Sequence, residues 1–273
     1  MPELPEVETI RSQLEPLLVG RAIVDTWLSP EMPALPAWPP DAAAFASLLV
    51  GRRIASVGRR GKYLLIPLDD GNTWIVHLRM TGALIHCREG LPEDRFLRAW
   101  FRLDDGSHLC YRDVRKLGRM WVVADAEQVV GKLGPEPLAG ALSPEALRRS
   151  LAGRRAPVKA LLLDQRLVAG LGNIYADEAL HEAGISPLRP GGSIAPDEAE
   201  RLCAAIGRVL QRAIGHGGTS FFAYLDARGE RGRHQLHVGV YRRQGEPCPR
   251  CGTAVARVRV AGRSTHYCPG CQV

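Results

Sequence analysis

The first residues of the chain could do covalent chemistry. A proline at position 2 permits removal of Met1, which leaves a secondary amine as the new N-terminus. An α-amino group titrates about 2–3 pH units below a lysine side chain, so more of it is an unprotonated nucleophile at neutral pH. Such an amine attacks a sugar C1′ or an aldehyde to form an iminium, and Glu3 and Glu6 could move the protons. The alternative interpretation is an ordinary helix start, with Pro5 at the first helical position.

Four of the seven cysteines have the spacing of a metal site. The pattern C-x2-C-x16-C-x2-C is formed by Cys248, Cys251, Cys268 and Cys271. Two such knuckles present four thiolates tetrahedrally, so the pattern predicts a zinc ribbon with one structural Zn²⁺ rather than four reduced thiols. The other three cysteines lie in apolar surroundings, where we expect buried thiols: Cys87, Cys110 and Cys203.

The charge of the chain indicates an acidic partner. The formal net charge is +7 over 273 residues, and residues 227–273 alone hold nine Arg against two Glu. A basic surface concentrated at one end of the chain favours a nucleic acid. We find neither an apolar run long enough to span a membrane nor a secretory signal, so we expect a soluble, cytoplasmic protein without a membrane partner.

The hydrophobic pattern predicts strands first and helices later. A helix is expected from Leu4 towards Gly20, with Pro16 kinking or ending it. A Pro-rich loop follows at 30–40 and a short helix at 41–49. Strands with hairpin turns suggest an antiparallel sandwich. They are expected at 21–28, 53–57, 63–68, 73–78, 97–103, 108–111 and 120–123. Beyond the broken segment near 131–142 the pattern becomes helical, and the longest helix is expected at 196–214.

A glycine-rich turn, residues 169–174, lies between two short predicted helices at 157–165 and 175–182. Glycines let backbone N–H groups approach a phosphate, and the following helix presents its N-terminus to the anion. Arg154, Arg155 and Lys159 precede the turn by one helix length and could contact DNA phosphates without reading sequence. The alternative interpretation of the glycines is a plain left-handed turn, and that of the three cations is a solvated basic face.

The order of these motifs resembles that of the bacterial formamidopyrimidine-DNA glycosylases, the Fpg (MutM) branch of the Fpg/Nei family. The resemblance covers nearly the whole chain. Its segments are PELPEVET (2–9), GKYLL (61–65), HLRMTG (77–82), DVRKLG (113–118), LGPEPL (133–138), AGLGNIYADE (169–178), GGTSFFAYLDARGERG (217–232) and the four-cysteine finger.

The resemblance implies an α+β fold with two domains. The N-terminal domain is an antiparallel β-sandwich with a catalytic N-terminal helix, and the C-terminal domain is a helix-two-turn-helix module with a zinc ribbon. We expect the sandwich at 1–130, a linker at 131–142, the helical module at 143–234 and the ribbon at 235–273, with DNA in the basic cleft between the domains.

The resemblance also assigns catalytic roles. It implies that the freed Pro2 amine attacks C1′ of a damaged nucleotide while Glu3, as an acid, assists opening of the sugar. Lys62 is implied to act near the scissile phosphate and the lesion, and Arg263 to clamp a phosphate during the final elimination. Without the resemblance Lys62 would be an exposed lysine at a strand end and Arg263 a surface residue.

Extracting a base leaves a hole in the duplex, and the resemblance implies which residues fill it. These are Met80 and the segment Arg115–Lys116–Leu117. The chain reads DVRKLG where many relatives carry DPRRFG. Lys116 keeps the charge of an arginine but loses its bidentate fork. Leu117 stays apolar but offers no ring for a base to stack on.

The remaining implied contacts form two groups. The DNA-binding group comprises Arg98, Arg155, Lys159, Gly172, Asn173 and Tyr175, with Asn173 contacting the DNA backbone and the N-terminus. The Gly-rich segment 217–232 corresponds to a lesion-capping loop that includes Gly218, Thr219, Ser220 and Tyr224. As unassigned sequence this segment would be a flexible linker.

We therefore expect a monomeric glycosylase and AP lyase in base excision repair. Its partner would be double-stranded DNA that contains oxidised purines, namely 8-oxoguanine and formamidopyrimidines. One alternative is an endonuclease VIII-type enzyme acting on oxidised pyrimidines, which lacks this capping loop. Another is a zinc-ribbon DNA-binding protein without catalysis, which has no use for a free N-terminal amine.

Overall fold

The computed structural model describes residues 2–138, 140–221 and 223–273. The chain forms two compact units, Met1–Lys132 with His216–Arg233, and Leu133–Gly215 with His234–Val273. The expected removal of Met1 concerns a residue outside the described ones. The sequence grouped residues 216–233 with the helical module, whereas in the structure this segment belongs to the first unit.

The first unit opens with helix α1, Leu4–Leu18. Its apolar stripe is fully buried and consists of Leu4, Val7, Ile10, Leu14 and Leu18. Pro16 was expected to kink or end the helix, but the helix continues for two residues beyond it. Pro16 has no N–H to donate to the Ser12 carbonyl, so the helix loses one i→i−4 hydrogen bond there, and it ends at Leu18, within a turn of the proline.

Two sheets follow in the first unit. The strands are β1 Ile23–Leu28, β2 Pro36–Trp38, β3 Gly58–Arg60, β4 Tyr63–Pro67, β5 Thr73–His77, β6 Gly82–Cys87, β7 Leu97–Leu103, β8 His108–Asp113 and β9 Arg119–Val123, with helices α2 Ala42–Leu49 and α3 Glu127–Val130. One sheet has the order β1-β7-β8-β6 and the other β2-β9-β5-β4-β3. Trp74 of one sheet and Phe101 of the other meet in the core, with ring centroids 4.4 Å apart. The predicted sandwich is confirmed.

Several local predictions differ from the structure. Residues 53–57 make only isolated bridges, through Arg53 and Ile54. The Pro-rich loop contains β2, which pairs parallel with β9 and is the exception to the expected antiparallel pattern. Strands β3 and β6 were not predicted. Of the three cysteines outside the ribbon, Cys110 is buried and the other two are half-buried.

The second unit is helical and ends in a hairpin. Its elements are α4 Pro144–Leu151, α5 Val158–Leu162, α6 Asn173–Ala183, α7 Pro196–Gly215, β10 Ala256–Val260 and β11 Arg263–Tyr267. Helix α4 is capped by Ser143, whose hydroxyl accepts from the Ala146 N–H at 3.1 Å. Helices α6 and α7 pack against each other and bury Leu180, Leu202 and Ile206. Within the described ranges, none of the helices combines the length and apolar character of a membrane span.

Candidate active site and nucleic-acid interface

The start of α1 is buried and tightly bonded. Pro2 is buried, Glu3 is 2% exposed and Glu6 is 1% exposed. Glu3 is the N-cap, and its backbone N–H donates to Glu6 Oε2 at 2.8 Å within a capping box. The first turn of the helix therefore fixes Glu3, the residue that follows Pro2.

The segment 216–233 packs on this same helix. The Thr219 N–H donates to Glu6 Oε1 at 2.7 Å, and the Tyr224 hydroxyl donates to the Glu6 carbonyl at 3.4 Å. Gly218 has φ +81°, and a Cβ there would lie 3.0 Å from Glu6 Cγ, so this close approach favours glycine. Burial and the charge of Glu6 raise the pKa of Tyr224, which keeps its hydroxyl protonated as a donor.

Further contacts hold the segment in place. The Gln13 amide bonds it twice, donating from Nε2 to Asp226 Oδ2 at 2.7 Å and accepting from the Ala227 N–H at 2.9 Å. Ser220 Oγ donates to the Tyr224 carbonyl at 3.0 Å. The segment is thus tied to α1 along the helix, which differs from the flexible-linker interpretation.

Both carboxylate oxygens of Glu6 accept backbone hydrogen bonds, one from Glu3 and one from Thr219. The sequence offered Glu6 as a second residue for moving protons. Its observed contacts instead join the N-terminal turn to segment 216–233. Glu6 therefore links these two segments, and the proton-moving roles of Glu6 and Glu3 stay predictions.

Lys62 directly precedes strand β4 and is 7% exposed, so it is not the exposed strand-end lysine of the alternative interpretation. The preceding Gly61 has φ +57°, which suits glycine in a tight turn. Burial, and then the charges of Arg79 and Lys62, lower the pKa of His77 to about 3. His77 therefore stays neutral near pH 7, and its Nδ1 accepts from the Arg79 N–H at 3.1 Å.

The segment 113–118 is built around the carboxylate of Asp113, which is fully buried. This carboxylate accepts from the N–H groups of Arg115, Leu117 and Gly118 at 3.1, 2.8 and 2.9 Å. The hydroxyls of Thr81 and Tyr111 also donate to it. A Cβ at Gly118 would overlap the Tyr111 hydroxyl, so the segment needs a glycine there.

Segment 113–118 brings together the residues predicted to fill the hole left by an extracted base. These are called the wedge residues: Met80, Arg115, Lys116 and Leu117. Leu117 and Met80 are 37% and 40% exposed, and Arg115 Nη1 lies 3.2 Å from Met80 Sδ. Lys116 adopts φ +55° and Nζ donates to Glu31 at 3.0 Å. Sequence analysis missed Asp113, although its place at the head of the DVRKLG motif was a signal for it.

Arg98 joins the same region from strand β7. It is 5% exposed, its Nε donates to the Asp113 carbonyl at 3.2 Å, and its Nη1 donates to Glu31 at 3.0 Å. Glu31 was also missed, because a single glutamate in a Pro-rich segment gives no sequence signal of a partner. Arg98 and Lys116 thus share one carboxylate.

In the second unit, Asn173 and Arg263 are brought together. Asn173 begins α6 after the buried N-cap Gly172, and its Nδ2 donates to the Ser264 carbonyl at 3.0 Å. Ser264 follows Arg263, whose side chain is exposed at the start of β11. Arg155 is exposed on the segment before α5. These positions are compatible with the implied phosphate contacts.

Two predicted DNA contacts need correction. Lys159 is completely buried, and its Nζ lies 2.7 Å from Asp177 Oδ1 and donates to Ser264 O and Thr265 Oγ1 at 3.0 and 2.8 Å. It holds strand β11 and is not exposed to a phosphate. Tyr175 is also fully buried, with its ring 5.8 Å from that of His234. A lysine and a tyrosine near a glycine-rich turn are expected to be exposed from the sequence alone. Here both are buried, because their partners come from segments that are distant in sequence.

The four cysteines of the ribbon have the geometry of a zinc site. Their sulfur atoms all lie within 4.8 Å of one another. Cys248 and Cys271 Sγ are 3.9 Å apart, and Cys251 and Cys268 Sγ are 3.4 Å apart. A tetrahedral zinc ion with Zn–S bonds of ~2.3 Å requires sulfur separations of roughly 3.8 Å. The residues therefore fit one tetrahedral ion.

Helix α6 anchors the ribbon with three buried side chains. Asp177 accepts from the His266 N–H at 2.9 Å. Glu178 accepts from three consecutive N–H groups of residues 239–241, at 2.6, 3.0 and 2.8 Å, while burial raises its pKa. His181 Nε2 lies 3.3 Å from Cys248 Sγ. None of the three was predicted, and the two acids escaped notice because acids on a helix are usually exposed.

Family models match most of the chain in three parts. They are the formamidopyrimidine-DNA glycosylase N-terminal domain over residues 1–120, the formamidopyrimidine-DNA glycosylase H2TH domain over 133–223, and the zinc finger found in FPG and IleRS over 245–273. The last match and the sulfur geometry confirm one structural zinc ion. The predicted fold of sandwich, helical module and ribbon is confirmed as well.

Relatives and solved structures match over the full length. The formamidopyrimidine-DNA glycosylases of Desulforamulus reducens and Chloroflexus aggregans are both 47% identical, over 100% of this chain and 99% of theirs. The crystal structure of MutM (Fpg) from Thermus thermophilus is 42% identical, covers 99% of this chain and 98% of that chain, and has a TM-score of 0.88. A Lactococcus lactis Fpg mutant bound to Fapy-dG-containing DNA is 36% identical, covers 99% of both chains and has a TM-score of 0.90.

Proposed function

Because this chain belongs to the formamidopyrimidine-DNA glycosylase family, we propose that it excises oxidised purines and then cleaves the DNA strand at the abasic sugar. It is a DNA glycosylase that acts on damaged bases in DNA. The proposal adds the substrate class, 8-oxoguanine and formamidopyrimidines, and a covalent route through the N-terminal proline. It also takes the active form to be a monomer.

The proposed route begins at the Pro2 amine. The nitrogen attacks C1′, the bond from C1′ to the base breaks, and the base leaves with the bonding electrons and takes up the proton that the amine loses. Glu3 donates a proton to the sugar oxygen, so the ring opens to an iminium. Loss of a C2′ proton then expels the 3′ phosphate, and a second elimination expels the 5′ phosphate.

The observation that supports this route best is the buried, hydrogen-bonded start of α1. It places a carboxyl group one residue from Pro2 and excludes most water from that carboxyl group. A water-poor site strengthens the interaction between a proton donor and a developing charge. In the same proposal Lys62 acts on the scissile phosphate, Arg263 and Asn173 bind the backbone, and residues 218–224 cover the extruded base.

The test is borohydride trapping on a panel of duplexes. We expect a covalent adduct between the protein and DNA that contains 8-oxoguanine or a formamidopyrimidine, and little adduct with undamaged duplex. Stronger trapping on oxidised pyrimidines would assign the endonuclease VIII-type activity instead. DNA binding without any adduct on the whole panel would refute the covalent route.

A separate prediction concerns the wedge residue Leu117 and the rate of base extrusion. Base–aromatic stacking is worth roughly 1–3 kcal/mol per base in proteins that bind single strands, and a wedge already inside a duplex should gain the lower part of that range. We therefore expect Leu117→Phe to speed base extrusion about fivefold, and Leu117→Ala to slow excision about tenfold. Single-turnover excision on lesion duplex measures both.

A preformed abasic site serves as the control for this prediction, because it contains no base to extrude. Strand cleavage there should change less than excision in both variants. If Leu117→Ala excises at the wild-type rate, Leu117 is a packed residue of segment 113–118 and the wedge lies elsewhere.

A further inference from the structure

Glu31 bonds to two of the cationic residues that are predicted to contact DNA, Arg98 and Lys116. A single oxygen, Oε2, lies 3.0 Å from Arg98 Nη1 and 3.0 Å from Lys116 Nζ. The Glu31 side chain is 64% exposed and that of Lys116 is 40% exposed, so the pair is open to solvent. An anionic oxygen held between an arginine and a lysine is the arrangement these side chains make with a phosphate oxygen.

The backbone on both sides of this contact is fixed. The Ser29 N–H donates to the Arg98 carbonyl at 2.8 Å, and the Glu31 N–H donates to Ser29 Oγ at 3.3 Å, so the turn that bears Glu31 is tied to strand β7. Asp113 holds the residues on either side of Lys116. The contact therefore joins two ordered elements.

We infer that Glu31 imitates a DNA phosphate in the free protein and limits the affinity of the protein for DNA backbone. The inference rests on the proposed function and adds that the exposed Lys116, beside the buried Arg98, meets a DNA phosphate once Glu31 is displaced. One carboxylate leaves these two cations with a single net positive charge, and DNA must displace it to reach them. An exposed ion pair is weak in water, so a phosphate can replace it. Glu31 thereby keeps the protein from being retained on undamaged duplex.

The substitution Glu31→Gln tests the sign of this effect. Removing the charge leaves one more cation for the backbone, so log Kobs against log[salt] should become steeper by about 0.9. We expect undamaged duplex to bind about tenfold more tightly at 50 mM salt and about threefold more tightly at 200 mM salt. If Glu31 merely positioned Arg98 and Lys116, the same substitution would weaken binding. Equal or weaker binding therefore overturns the inference.

Two further variants separate this effect from a general change in net charge. Asp25→Asn also removes one negative charge, from strand β1 of the four-stranded sheet that contains Arg98. Asp25 pairs there with Arg102 at 3.4 Å and is 51% exposed. This substitution should change the salt dependence little. Adding Lys116→Met to Glu31→Gln should cancel most of the gain. An equal gain in the Asp25 variant, or a full gain in the double variant, also overturns the inference.

Binding to undamaged duplex needs no catalysis, so this test is independent of covalent trapping. Failure to trap any lesion would overturn the proposed function even if Glu31→Gln binds more tightly. Successful trapping by the wild-type protein with unchanged binding by Glu31→Gln would overturn the inference alone.

Discussion

A protein that keeps Met1, or that carries an N-terminal tag, is expected to lose base excision and covalent trapping by on the order of a thousandfold or more. In either case the Pro2 nitrogen becomes an amide and has no lone pair available for attack, so the covalent step is lost. DNA binding should remain, because the wedge residues and Arg263 are distant from position 2 in sequence. Mass spectrometry of the N-terminus, borohydride trapping and single-turnover excision measure the effect.

The matched control is the same tagged protein after cleavage at a site that leaves Pro2 as the first residue. Activity should return with the free amine. Full activity from a protein with a verified blocked N-terminus would eliminate Pro2 as the nucleophile, and another amine would then have to be sought.

The substitution Glu3→Gln is expected to reduce base excision by about 10²–10³-fold while DNA binding is retained. General acid catalysis by a positioned carboxyl group contributes in this range. Glutamine keeps the side-chain length and an acceptor at the N-cap, so the first turn of α1 should remain intact. Cleavage of a preformed abasic site should fall much less, because the base has already left.

Glu15→Gln is the control on the same helix. Glu15 forms an exposed pair with Arg11 at 2.8 Å, and its loss should leave excision within about twofold of wild type, since such pairs contribute little. If Glu3→Gln excises at the rate of this control, Glu3 is only the N-cap of α1 and the acid lies elsewhere.

Local patterns in the sequence predicted much of the fold. The cysteine spacing predicted the ribbon, and the alternating strands predicted the sandwich that Trp74 and Phe101 fill. Strand β3 was missed because Gly58–Arg60 has no apolar pattern, and β2 because Pro36 and the prolines around the strand suggested a loop. Such short strands depend on their neighbours in the sheet more than on their own residues.

The candidate site was predictable where a motif is contiguous and less so where contacts are long-range. The resemblance located Pro2, Glu3 and the segment of Leu117. It did not show that Glu6 bonds Thr219, 213 positions later. It also did not show that Asp177 pairs with Lys159 and removes it from solvent. Charged residues look exposed in a sequence until a partner is found, and these partners become neighbours only after folding.

The three buried side chains of α6 bear on how this protein could be recombined with its relatives. A ribbon exchanged by itself would bring its four cysteines and its metal, but it would leave Asp177, Glu178 and His181 facing whatever groups the new ribbon offers. A carboxylate buried without its donors is strongly destabilising. Lys159 of α5 also bonds Asp177 and strand β11. The smallest segment that can be moved between relatives as a functional part is therefore α5, α6 and the ribbon together, and chimaeras cut between them should express poorly even when both parents are stable.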